Sequence, residues 1–222
     1  MSPHGWTHQR PTRRPLIVLA GEDTNDRKVL RTLLEAVCPD AQGRIVEING
    51  VIRLRDAGEA DLSQRVNKLA SLVRARAARE RADVACVFIH EDFDALDSPE
   101  RDTIRERVQH ALRRNPDRTY YILAAWEVEA WFLLFPNALS AVSSSWVVPN
   151  RYRGIDTGRI TDPKRVMKRE VSTAVKSRYE ETDAPKIFEK IVELNLLDTP
   201  SGSNRSYYEV RQAASDCCGV LS

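Results

Sequence analysis

The segment 83–89 (DVACVFI) constrains the chain most, because a nearly unbroken apolar run of that length belongs to a strand buried on both faces of a parallel sheet. Parallel strands need crossover connections, and the surrounding sequence supplies them. The run 15–21 (PLIVLAG) is followed by Val29, Leu30, Leu33, Leu34 and Val37 at helical spacing. Residues 44–49 (RIVEIN) read as a second strand. A helix from about 61 to 81 follows, with Val66, Leu69, Leu72 and Val73 on one stripe. After the strong strand, Ser98 as N-cap and Pro99 open a helix that Asn115, Pro116 and Asp117 end. A fourth strand, 119–125, leads into a short helix 127–134 stopped by Pro136 and Asn137. This alternation predicts an α/β fold with a mainly parallel four-stranded sheet flanked by helices.

Three regions are expected. Residues 1–14 contain Pro3 and Pro11, show no period, and read as a loose tail; residues 15–137 form the α/β core. Past 137 a Ser-rich turn and an irregular stretch give way to helices near 163–175, 184–196 and 207–217. The segment 138–222 therefore reads as a helical extension packed on the core and covering its site.

At 222 residues with 42% hydrophobic and 30% charged side chains, the chain has material for a core and no composition of disorder. A net charge of +2 does not mark a nucleic-acid binder, so local charge must carry that argument. Cys38, Cys86, Cys217 and Cys218 match neither a zinc-site spacing nor a dense disulfide scaffold, which predicts reduced, packing thiols in a soluble cytoplasmic protein. No apolar run reaches the ~18 residues of a membrane span, and no Gly-rich phosphate loop marks the chain as an ATP hydrolase.

Acidic residues close the strands: Glu22 after the first, Asp92 and Asp94 after the third, Glu127 and Glu129 after the fourth. Open parallel sheets bind ligands outside the carboxyl ends of their strands. Carboxylates gathered there repel one another and resist ionisation unless a cation neutralises them. Oxygen ligands of this kind suit Mg2+ or Mn2+ and not zinc.

Several residues have plainer readings. Acidic loop residues are usually solvated, and Glu127 reads as an exposed residue at a helix start. His90 reads as a hydrogen-bonded bystander, Trp126 and Trp131 as core, and Arg74, Arg76, Arg79 and Arg81 as a solvated helix face. Arg151, Arg153, Lys164, Arg165, Lys168 and Arg169 form a basic stretch that would suit a polyanionic substrate. Ser203 and Tyr207 carry no catalytic signature.

The turn 21–26 (GEDTND), followed two strands later by 90–94 (HEDFD), resembles the Toprim fold of primases, topoisomerases and OLD-family nucleases. With 127–134 (EVEAWFLL), 162–164 (DPK) and 203–208 (SNRSYY), the chain is similar to a Toprim-like group of bacterial proteins that includes the RloB-like proteins, which often accompany ATPases in defence loci. The likeness spans roughly 15–215. It implies Glu22 as proton-transfer group or metal ligand, Asp92 and Asp94 as ligands of Mg2+ or Mn2+, and Glu129 at the Glu-Ala-Trp position. Lys164 is the implied cation if the extension folds back over the sheet. The chain departs from the pattern in having Gly-Glu-Asp where many relatives have Glu-Gly, and no lysine directly beside the aspartates.

The resemblance implies a metal-dependent nuclease acting on DNA or RNA, an anti-phage defence effector working with an ATPase partner. A non-catalytic subunit that binds or regulates the ATPase is the alternative, and phosphoryl transfer on a nucleotide or small phosphate ester would use the same metal chemistry.

Overall fold

Strands β1 (Leu16–Gly21), β2 (Ile45–Glu47), β3 (Val84–Asp92) and β4 (Arg118–Ala124) form one parallel sheet in the order β2-β1-β3-β4. This is a computed structural model, and it describes residues 15–50, 53–114 and 118–221. The expected tail 1–14 and the helix-ending residues 115–117 lie outside the described residues.

Strand alternation divides the core in two. Ile17, Leu19, Cys86, Phe88, Ile122 and Ala124 share one cluster with the helix α1 (Thr24–Val37). Val18, Ala20, Val87, Ile89, Tyr121 and Leu123 face the opposite way, onto α2 (Glu59–Glu80) and α3 (Pro99–Leu112). The chain therefore leaves β1 toward one face and β3 toward the other, and these two strands are hydrogen-bonded neighbours. Such a reversal opens a crevice at the carboxyl ends of the pair, where Gly21 lies in register with His90.

The later helices pack on the α1 face. They are α4 (Glu129–Phe132), α5 (Pro136–Val142), α6 (Pro163–Val166), α7 (Ala184–Glu193) and α8 (Arg205–Leu221). Their buried residues, from Trp131 to Cys217, belong to the same apolar cluster as Ile17 and Leu19. Pro136 opens α5 where sequence expected a stop, since a proline in the first turn has a fixed helical φ and gives up only an N–H that lacks a partner anyway. The helix expected over 163–175 is instead one α turn followed by a π turn, Met167–Val171, with the Ser172 hydroxyl donating to the Met167 carbonyl at 2.6 Å. Helix α8 starts earlier than its apolar period suggests because Asn204 caps it, its Oδ1 accepting from the Tyr207 amide at 3.1 Å.

One expectation about side chains is corrected. The four cysteines are paired, Cys38 with Cys218 and Cys86 with Cys217, over separations of 180 and 131 residues. Spacing along the chain gave no sign of this, because α8 returns to α1 and β3 only in the folded protein. The SNRSYY segment is scaffold. The Ser206 hydroxyl accepts from the Trp131 indole at 2.9 Å and donates to Asn204 at 2.7 Å, binding α8 to the helix that follows β4.

The free edge of β4 is closed by side chains from α3. The Gln109 amide donates to the Thr119 carbonyl at 2.8 Å and accepts from the Tyr121 amide at 3.0 Å, imitating a strand partner. Fully buried Arg101 donates to the Leu123 carbonyl and pairs with Glu209 of α8.

Candidate metal centre

The crevice between β1 and β3 is built by three local devices. Asp23 caps α1, its carboxylate accepting from the Asn25 amide, and the helical turn that follows carries Asp26 inward until it is 8% exposed. On β3, alternation sends His90 toward the α1 face and Glu91 to the other. The parallel register sets Gly21 against His90 and so brings the two strand ends together, and a Cβ on Gly21 would meet His90 Cβ at an ordinary contact of 3.6 Å.

Among the described residues, Asp26, His90 and Asp92 are the group whose ligand atoms all lie within 4.8 Å of one another. His90 is fully buried. Its Nδ1 is 3.6 Å from Asp26 Oδ2 and its Nε2 is 3.8 Å from Asp92 Oδ1, both beyond hydrogen-bond reach. Neither ring nitrogen nor Asp92 Oδ1 has a hydrogen-bond partner. Buried polar atoms rarely go unpaired, and an imidazole with neither nitrogen bonded, set between two carboxylates, marks a place for a ligand. The histidine expected to be a hydrogen-bonded bystander is at the centre of the group.

Glu129 borders the same space, and Glu127 stands behind it, paired with Lys164. Glu127, expected to be exposed, is buried because α6 folds back onto it, with Lys164 Nζ 3.0 Å from Oε2 and the Lys164 amide 2.7 Å from Oε1. Glu129 Oε1 accepts from the buried Tyr179 hydroxyl at 2.8 Å. Asp26, Asp92, Glu129 and Lys164 line a cavity of about 80 Å3 whose rim is formed by Asp23, Asn25 and Glu181.

Electrostatics follow from burial and crowding. Desolvation, then repulsion from Asp23, raises Asp26 to about 7. Desolvation, then Asp26, Glu129 and Glu127, holds Asp92 well above the usual carboxylate range. Burial, then Glu127, raises Glu129 to about 8, while burial lowers His90 to about 4 and keeps the imidazole neutral. Lys164 is raised, because the pull of Glu129 and Glu127 outweighs its desolvation. One lysine therefore faces several reluctant carboxylates, and a divalent cation is the economical neutraliser.

The other residues singled out from sequence lie outside this group. Glu22 is half-buried beside Arg53, with Oε1 3.7 Å from its Nε. Asp94 adopts a left-handed φ of 57°, is largely exposed, and pairs with Arg55 Nη1 at 2.8 Å. Glu91, between His90 and Asp92 in β3, is fully buried on the opposite face and anchors the loop before α2 by accepting from the Arg55 amide at 2.8 Å and the Tyr121 hydroxyl at 2.7 Å. In the basic stretch Arg151 pairs with Glu170, Arg153 Nε donates to the Val148 carbonyl, and Lys168 pairs with Glu181.

Asp26 was legible in principle, since it falls three residues after a capping Asp on the inward face of α1. No helix among the described residues is long and apolar enough to cross a membrane. Comparison of the chain with protein-family models, with curated proteins and with solved structures finds no match to any of them.

Proposed function

We propose that this protein is a divalent-metal-dependent phosphodiesterase of Toprim-like type, a nuclease acting on DNA or RNA in defence against phage together with an ATPase partner. The observation that carries the metal-dependent part is the buried, unpartnered Asp26–His90–Asp92 group at the crevice of a parallel sheet. The donor set fits a divalent ion, two carboxylates balancing its charge and a neutral imidazole adding a nitrogen. A bound ion would polarise a phosphodiester oxygen and stabilise the charge that develops on it. Around it, Lys164 holds Glu127 in place and adds positive charge near an incoming phosphate. Glu129, whose burial beside Glu127 favours its protonated form, stands at the cavity wall where it would pass a proton to a leaving oxygen.

One observation favours the non-catalytic alternative. The cavity has room for an ion and a few waters and not for a nucleotide, and the extension covers it through Lys164, Glu181 and Ala184. On that reading the ion neutralises the buried carboxylates of the core beneath the extension, and the protein serves its ATPase.

Cleavage assays separate the two. Wild type, Asp92→Asn and Glu22→Gln are incubated with single- and double-stranded DNA and RNA, with and without Mn2+, alone and with an ATPase encoded beside the gene. The nuclease reading predicts Mn2+-dependent cleavage that falls by roughly 10²-fold or more in Asp92→Asn while nucleic-acid binding persists. Glu22→Gln should also lose cleavage if Glu22 transfers a proton; equal cleavage by it and wild type removes Glu22 from the mechanism. No cleavage under any condition, with binding of the ATPase that Asp92→Asn weakens, sinks the nuclease reading.

A further inference from the structure

Mg2+ and the later divalent metals differ in what they accept as ligands. Mg2+ is a hard ion that prefers oxygen and keeps several of its waters, whereas Mn2+, Co2+ and Zn2+ take imidazole readily and with rising affinity along the series. A site made only of carboxylates leaves the choice to availability. A buried imidazole among them does not.

His90 is such a group. Its ring is held edge-on against Trp131, with centroids 5.9 Å apart and planes at 80°, so its orientation is fixed by packing and not by a hydrogen bond. Both ring edges face carboxylates at 3.6 and 3.8 Å, too far to share a proton directly. An ion bonds one of the two ring nitrogens, and one ligand atom each from Asp26, His90 and Asp92 lies within 4.8 Å of the others, a spacing that a shared ion can bridge and a direct proton bridge cannot. The groups that face the ring from the neighbouring elements are Asp26 from α1, Asp92 from its own strand and the indole of Trp131 from α4.

We propose that His90 is a metal ligand, and that the centre therefore selects a transition-type divalent ion, Mn2+, Co2+ or Zn2+, over Mg2+. This rests on the metal-centre reading of Asp26 and Asp92 and adds the nature of the ion to it. No nucleolytic activity is needed for it to hold.

The test uses the full chain stripped with a chelator. Ion affinities are measured by calorimetry for Mg2+, Mn2+, Co2+ and Zn2+, and the Mn2+-loaded protein is studied by pulsed electron paramagnetic resonance for coupling to a nitrogen nucleus. Expected are one site of matching stoichiometry, Mn2+ binding at least about tenfold more tightly than Mg2+, and a directly bound nitrogen in the spectrum of the wild type. That spectrum needs no variant, so it stands even if His90→Gln folds poorly; if His90→Gln folds, the nitrogen coupling and the preference over Mg2+ should both vanish. Mn2+ bound with no nitrogen coupling and no preference over Mg2+ overturns this inference and leaves the metal centre standing. Absence of binding by any of the ions overturns the metal centre itself, and the inference with it.

Discussion

Asp26→Asn is expected to make the metal-free protein more stable at pH 8 and to remove most of the stabilisation that a divalent ion gives. Asp26 is held at about 7 by burial and by Asp23, against an ordinary value of 3.8. Between those two values the folded protein keeps a proton that the unfolded chain has released. Its stability therefore falls as pH rises through that window and levels off above it. Asparagine carries no such penalty, so the variant should match wild type near pH 4 and melt several degrees higher above pH 7, for a difference on the order of 1–3 kcal/mol. His90 works in the opposite direction: lowered to about 4 from 6.5, it adds stability as pH rises between those values. That contribution is common to both proteins and cancels in the comparison. With Mn2+ at saturation the order reverses, because the ion binds the native wild-type cluster and not the unfolded chain. Melting curves across pH 4–8, with chelator and with Mn2+, check both halves. A variant less stable than wild type at pH 8 without metal would mean that Asp26 is satisfied by something other than a cation.

Arg101→Met is expected to be the most destabilising single change outside the centre. The guanidinium is fully buried, donates twice to the Leu123 carbonyl at 2.9 and 2.7 Å, and pairs with Glu209, so it fastens α3, β4 and α8 at one point. Methionine fills much of the stem's volume but leaves the strand-edge carbonyl without its donor and Glu209 with Arg105 alone, 3.3 Å away. Breaking a buried pair from one side costs about 3–5 kcal/mol. The urea midpoint should drop accordingly with an unchanged slope, and Arg101→Met combined with Glu209→Met should recover part of the loss. A drop below about 1 kcal/mol would show that water replaces the lost bonds.

The sheet was legible because burial on both faces leaves a plain mark: β1, β3 and β4 fall within a residue or two of the apolar runs that predict them, with β3 carried on through Asp92. Helices α2 and α3 followed from their stripes and caps in the same way. The extension was harder, because its first helix ends in a π turn and its fold depends on contacts such as Lys164 with Glu127 that no local pattern encodes. At the site, Asp92 and Lys164 were visible as residue types at a strand end and a helix start. His90 was read as a bystander and Asp26 was not singled out, both for a physical reason. A lone histidine after a strand and an acid in the first turn of a helix are ordinary in sequence, and only the strand order, which sets β1 against β3, brings them together. The cysteines were read as reduced thiols for the same reason, their pairing being a property of where α8 lands.

The central claim is that Asp26, His90 and Asp92 hold one divalent ion, and anomalous scattering from a crystal soaked in Mn2+ tests it most directly. The account predicts a single strong peak between Asp26, His90 and Asp92, within bonding distance of an imidazole nitrogen and both carboxylates. A peak placed instead between Glu22 and Asp94, or no peak at a concentration that saturates Mn2+ binding in solution, would contradict it.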